Sequence, residues 1–343
     1  SSPWTARPRP WQERRGDLVA ALKRRYGINV IADWKKAGLA SITMSIESGN
    51  AFIRDHIIMR DMSGAEVTEA FRMANAAKVY TFPNVILGIP APLVPHCPTD
   101  LEFDSKLSRV AEETKILQKL NGRKIDLAVV IGIAKDWFLE EPERRQYLLG
   151  FLRSAGLRSN YREYDKESVR FTLAQRPGFP EFPILAPFPK TKATDWALAR
   201  GDFDGNYDKL HASYQHRSTL TCYTEREKSI QQNLALLGSF LALFAGSRHR
   251  LMRWLGKPLE YACLEWLVEW SHPRAAKLYG WLYTVSKAYM HRTRIYPIRY
   301  SLPEKLRFYG QMVSLDRWKQ FRKKQPLRRA ERPGQTLGGP ASL

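Results

Sequence analysis

The sequence predicts an α/β protein: a partial (β/α) barrel followed by a predominantly helical carboxyl-terminal region. Three observations lead there. "SITMSIES" (residues 41–48) alternates Ile42, Met44 and Ile46 with small polar residues, the period of a strand. "SGAEVTEAFRMANAAK" follows with Ser63 and Glu66 in capping-box spacing and Val67, Ala70, Phe71 and Ala74 on one helical face. "TFPNVILGIP" (81–90) then holds an apolar run closed by Gly88 and Pro90, as in a strand buried on both faces.

Strand, capped helix and buried strand make a βαβ unit, whose crossover is right-handed and whose strands are parallel. Both strands therefore end on one rim, where open and closed α/β folds place ligands. Ser45, Glu47 and Ser48 on the first strand and Asn84 and Gly88 on the second are the candidate ligand-facing residues; ordinary turns use the same residue types.

Further along, "DSKLSRVAEETKILQKLN" reads as an amphipathic helix, "IDLAVVIGI" as a strand and "PERRQYLLGFLRSAG" as a helix ending on Gly156, either a second βα repeat or an insertion within 94–179. Phe182 to Ala186 suits a short strand entering a proline-built loop. The character then changes. Thr224 and Glu227 form a second capping box ahead of Ile230, Leu234, Leu237 and Leu241 at helical spacing, and Leu259 to Trp270 and Ala275 to Met290 also read as helices. The expected organisation is a leader with a first helix (1–37), the barrel part (38–191), a helical region (192–315) and a basic tail (316–343).

The chain has 343 residues, 44% of them hydrophobic, enough for a sizeable core. Its formal charge is +21, from 55 basic and 34 acidic residues. Eleven of those 21 excess charges sit in residues 1–25 and 316–333, so the excess reads as basic ends, solvated or in contact with a polyanion such as RNA. Cys97, Cys222 and Cys263 lie far apart, which argues against a disulfide framework and fits a reducing cytoplasm. The longest apolar stretch, Leu234 to Gly246, falls short of the ~20 residues a transmembrane helix needs and is expected to be a buried or interfacial helix. The Pro/Arg-rich opening does not resemble the first strand of a domain, so an upstream part is expected.

"MSIESGNAFIRDHIIMRDMSGAEVTEAFRMAN", "KVYTFPNVILGIP", "EFPILAPFPKT" and the run from Phe203 to Gly238 together resemble, in order, the later barrel and helical tail of radical S-adenosylmethionine enzymes, especially their cobalamin-binding branch. Lys190 stands where that pattern has Gly. The resemblance implies S-adenosylmethionine held against a [4Fe-4S] cluster, with Ser45, Glu47 and Ser48 in the ribose and methionine contact region and Asn84 and Gly88 near the adenosyl group. It leaves cobalamin use and the substrate open. Hydroxyls and a carboxylate suit ribose hydroxyls and an ammonium, and glycine admits close approach of the backbone. The family's cysteine spacing, C-x-x-x-C-x-x-C, is absent, so cluster-binding and cobalamin-binding parts are expected upstream, and the chain alone is expected to be inactive. The alternative is a non-catalytic barrel remnant that binds RNA or another polyanion through its basic ends.

No metal site is predicted: His96 beside Cys97, and His211 with His216, read as ordinary surface or core residues. Trp137, Trp254, Trp266, Trp270 and Trp281 could stack on bases, but aromatic residues in helical segments are expected to build core.

Overall fold

A computed structural model describes residues 29–60, 62–94, 156–210, 217–270, 273–295 and 301–313, with isolated positions between 105 and 153. Two compact units are formed, Ser1–Ser301 and Leu302–Leu343; the described residues of the second make one helix, α8 (Leu302–Val313).

The first unit opens with a short helix, α1 (Val30–Lys36), whose Asn29 side chain caps the Ala32 amide at 3.1 Å. Strand β1 (Ser41–Thr43) leads through a π-helical turn, Ile53–Ile57, to helix α2 (Gly64–Ala76) and strand β2 (Tyr80–Phe82). The predicted capping box of α2 is formed in both directions: Glu66 N–H donates to Ser63 Oγ at 3.2 Å, and Ser63 N–H donates to Glu66 Oε2 at 2.7 Å. β1 and β2 pair in parallel, Ser41 with Tyr80 and Thr43 with Phe82, as the βαβ reading requires.

A third extended segment lies beside β2. Phe179, Glu181 and Leu185 N–H groups donate to the carbonyls of Thr81, Pro83 and Leu87, and Asn84 pairs with Glu181 and Leu87 with Ile184, again in parallel. Prolines 83, 180 and 183 carry no N–H, which explains why regular strand is short while the pairing continues. The described residues are mostly helical with a small two-stranded parallel sheet, a mixture compatible with the α/β expectation. The third segment extends the parallel pairing, and no closed barrel occurs among the described residues.

Helix α3 (Tyr161–Ala174) escaped the sequence reading. Its buried side includes Asp165, Lys166, Ser168 and Thr172 beside Tyr164, Val169 and Leu173, so polar residues share the inner face with apolar ones. Asn160 caps it through the Glu163 amide at 3.0 Å. The predicted helices at 104–121 and 142–156 and the strand at 125–133 lie wholly or largely outside the described residues, as do residues 1–28 and 314–343.

Helix α4 (Lys192–Arg200) ends on Gly201 at φ 76°. Helix α5 (Glu225–Ala245) starts at the predicted Thr224–Glu227 capping box, with both bonds formed. The apolar stretch expected to be buried or interfacial lies within α5, and Leu234, Ala235, Leu237, Leu241 and Ala242 are buried. Helix α6 (Arg250–Glu265) begins nine residues before the predicted Leu259 and accommodates Pro258, and α7 (Pro273–Met290) follows. α3, α6 and α7 all pack on α5.

The main core joins the parallel segments to these helices. Ile46, Val85, Leu87 and Phe182 meet Phe71 of α2, Val169 and Leu173 of α3, and Ile230, Leu234 and Leu237 of α5. This core includes residues on both sides of Thr191. One face of the sheet is thereby covered with helices. The alternate residues, Ser45, Asn84, Ile86, Glu181, Pro183 and Leu185, are half-buried on the other face.

Candidate functional site

The half-buried face is where the sheet presents polar side chains. Continuing the Thr43–Phe82 register by two residues sets Ser45 beside Asn84, and Asn84 pairs in turn with Glu181. Residues in register point to the same side, so Ser45, Asn84 and Glu181 form a polar row across three parallel segments.

Just past Ser45 the pairing slips by one residue, because Glu47 rather than Ile46 is bridged to Val85. The N–H groups of Ile46 and Glu47 both donate to the Asn84 carbonyl, at 3.1 and 3.0 Å, which marks a β-bulge. Glu47 takes φ 63°, the left-handed region that a residue with a Cβ adopts at a cost. A bulge re-aims the side chain it carries. Here it brings the Glu47 carboxylate back to the Ser45 hydroxyl, which donates to Oε1, while Arg60 Nη1 approaches the same oxygen at 3.5 Å. The Glu47 side chain keeps about a fifth of its accessible surface, 19%.

At the other end of the row α7 supplies Lys287, which is ion-paired with Glu181, and Tyr283, whose hydroxyl accepts from Lys287 Nζ. Burial, and then the neighbouring Glu181 charge, push the Tyr283 phenol well up, so it remains protonated. Glu181, Lys287 and Tyr283 were not singled out in the sequence. Glu181 opens the predicted Phe182–Ala186 strand and carried a readable signal; the α7 residues reach it only through the fold.

Ser48 and Gly88 stand apart from this row. Ser48 is buried, its Oγ 3.2 Å from Ser168 Oγ of α3, and its carbonyl accepts from Arg54 Nη1 at 3.2 Å. The adjoining Gly49 packs so closely on α3 that a Cβ would come within 2.7 Å of Ser168 Cα and Phe171 Cβ. Gly88, at φ 68°, donates its N–H to Asp165 Oδ1 at 2.8 Å, and a Cβ there would meet the Gln231 amide of α5 at 3.2 Å. Of the five predicted residues, Ser45, Glu47 and Asn84 are brought together, whereas Ser48 and Gly88 tie the rim to the helices behind it.

Gly88 thereby borders a buried polar pair. Asp165 Oδ2 and both amide atoms of Gln231 have no hydrogen-bond partner among the described residues. Burial pushes the Asp165 carboxyl up to about 7, against the opposing pull of the Gly88 N–H.

The described residues do not fit an iron–sulfur cluster. Burial raises the thiol of Cys222 to about 12, the Asp202 charge adding to it, and that of Cys263 to about 11, so neither readily supplies a thiolate. No group of three His, Cys, Asp or Glu placed to hold a metal occurs among the described residues. His96, Cys97, His211 and His216 lie outside them. The Ser45–Glu47–Asn84 group does suit the polar parts of a nucleoside or an amino acid, since it offers a carboxylate, a hydroxyl and an amide on one partly open face.

The predicted tryptophan core requires correction. Trp254, Trp266, Trp270 and Trp281 are 70, 65, 50 and 45% exposed, because α6 and α7 place other residues, Cys263, Leu264, Ala275 and Tyr279 among them, against the core. Trp137 lies outside the described residues. No helix among the described residues is long and apolar enough to cross a membrane. Compared with known proteins, the chain matches no family model, no curated protein and no solved structure.

Proposed function

We propose that the chain forms the later part of a radical S-adenosylmethionine enzyme, its polar row holding the ribose and methionine portions of that cofactor. The observation that carries this reading is the bulge at Ile46 and Glu47, which turns a carboxylate onto the partly open face of a parallel sheet beside Ser45 and Asn84. In this reading Ser45, Glu47 and Asn84 contact the ligand. Ser48, through Ser168, and Gly88, through Asp165, hold the rim's backbone in place.

The backbone at Lys190 supports the same reading. It adopts φ 66°, a conformation that glycine, the residue of the family pattern, takes without strain. S-adenosylmethionine and the cluster would supply the radical chemistry, and the residues described would bind and orient. The cluster thiolates, and cobalamin if this branch uses it, belong in this proposal to a separate upstream part. The polyanion reading rests on residues 1–25 and 316–333, which lie outside the described residues.

Titration calorimetry of the chain with S-adenosylmethionine tests the proposal. Saturable binding is expected, weakened about tenfold or more in Glu47→Gln, the range for losing a charged hydrogen-bond partner. Reconstitution of the same chain with iron and sulfide is expected to yield no reductive cleavage above a protein-free control. Absence of binding, or equal binding by Glu47→Gln, overturns the assignment of this row.

A further inference from the structure

Helix α6 presents apolar residues to solvent as well as to the core. Gly256, Cys263 and Leu264 are buried, whereas Leu251, Trp254, Leu255 and Tyr261 are 65, 70, 44 and 60% exposed. Steps of three, one and six residues at 3.6 per turn keep these four within about 120° of the helix circumference. Trp266 extends the strip, its ring edge-on to Tyr261 with centroids 5.5 Å apart and 65% exposed. Monomeric surfaces carry scattered apolar residues, but a continuous Leu–Trp–Leu–Tyr–Trp strip marks a surface meant to be covered.

The flanks of this strip identify its occupant. From Arg248 to Pro258 the chain carries no acidic residue and four cations, of which Arg248 is bonded to the Lys78 carbonyl and Arg253 to the Ser247 carbonyl. Lys257 and Arg250 are exposed beside the strip, and the two carboxylates along it are already paired, Glu260 with Lys257 at 3.2 Å and Glu265 with Arg170 and, at 3.2 Å, with Lys166. Tryptophan and tyrosine at the level of lipid headgroups, leucine reaching below them and cations alongside are what an interfacial amphipathic helix presents to a charged bilayer. An RNA ligand would use the aromatic rings and the cations but gains nothing from Leu251 and Leu255.

We propose that the outer face of α6 docks the protein on the surface of an anionic lipid bilayer. The helix lies in the plane of the interface and does not cross it. This proposal is independent of the role assigned to the polar row.

Sedimentation of the full chain with vesicles tests it, using vesicles of three parts phosphatidylcholine to one part phosphatidylglycerol and a parallel set of pure phosphatidylcholine. Partitioning onto the anionic vesicles is expected, and it should fall about tenfold or more in the triple variant Leu251→Ser, Trp254→Ser, Tyr261→Ser. Arg250→Gln with Lys257→Gln should also lose about tenfold, and pure phosphatidylcholine should bind as weakly as that variant. All five positions are exposed, so the unfolding curves of both variants should match that of the wild type. Failure of the wild type to sediment with anionic vesicles overturns the proposal. So does sedimentation undiminished in the triple variant, which would assign the binding to other cations of the chain. If the triple substitution instead abolishes poly-uridine binding, or self-association in light scattering, while vesicle binding is unchanged, the face belongs to RNA or to a second copy.

Discussion

Helices α5 and α6 follow one another in the chain, both are rich in leucine and aromatic residues, and they use them in opposite ways. α5 is enclosed by α3, α6, α7 and the covered face of the sheet, so its apolar residues are buried on nearly every side. α6 packs on α5 along one edge and leaves Leu251, Trp254, Leu255 and Tyr261 in contact with solvent. Hydrophobicity alone does not distinguish the two. What distinguishes them is whether the fold brings a partner to each face.

The largest expected effect concerns a charge under the enclosed side. Asp165 is fully buried beside Gly88 and Gln231, and its carboxyl titrates near 7 rather than near the usual 4. A raised pKa means that the folded state holds the proton while the unfolded state has released it. The stability this contributes is complete below about pH 4 and is lost as pH rises to about 7, a difference of up to about 4 kcal/mol. Asp165→Asn keeps an acceptor for the Gly88 N–H and removes the ionisation. Urea unfolding of the variant and the wild type between pH 4 and 8 should therefore diverge steadily, the variant gaining relative stability up to about pH 7 and little beyond; parallel profiles would show that Asp165 ionises in the folded protein as it does in the unfolded chain.

Truncating one apolar side chain on each helix breaks the comparison directly. Leu237→Ala on α5 removes a side chain that is 1% exposed and should cost about 3 kcal/mol, while Trp254→Ala on α6, at 70% exposure, should stay within about 0.5 kcal/mol. Equal losses in chemical denaturation would mean that α6's outer face is covered in solution. A smaller effect belongs to the start of α5. Thr224→Ala removes the oxygen that accepts from Glu227 N–H at 3.2 Å and should cost about 1 kcal/mol, seen as a lowered Tm without change in the denaturant slope.

The same contrast separates what could be read in the chain from what could not. Both capping boxes were legible because a cap is made by residues three apart, and the βαβ unit was legible because the first strand and the helix each carry their own period and the second strand is an apolar run closed by Gly88 and Pro90. Helix α3 was not, since its segment is polar on average and it buries Asp165, Lys166 and Ser168, residue types that are expected at the surface, against partners far away in sequence. In the candidate site, Ser45, Glu47 and Asn84 followed from their position at strand ends. The bulge that gathers them depends on two amides sharing the Asn84 carbonyl, a long-range event with no local signature. Lys287 and Tyr283 join Glu181 only because α7 packs where it does.

By itself, then, the sequence determined the local elements: the parallel βαβ unit, the capped helices, the buried character of α5 and the polar strand ends, all set by neighbours within a few residues of one another. Tertiary structure alone decided that Ser48 and Gly88 turn toward α3 and α5, that burial raises the Asp165 carboxyl to about 7, and that Trp254 of α6 faces outward. Each of these depends on which surface is excluded from water, and that is settled only when distant segments meet.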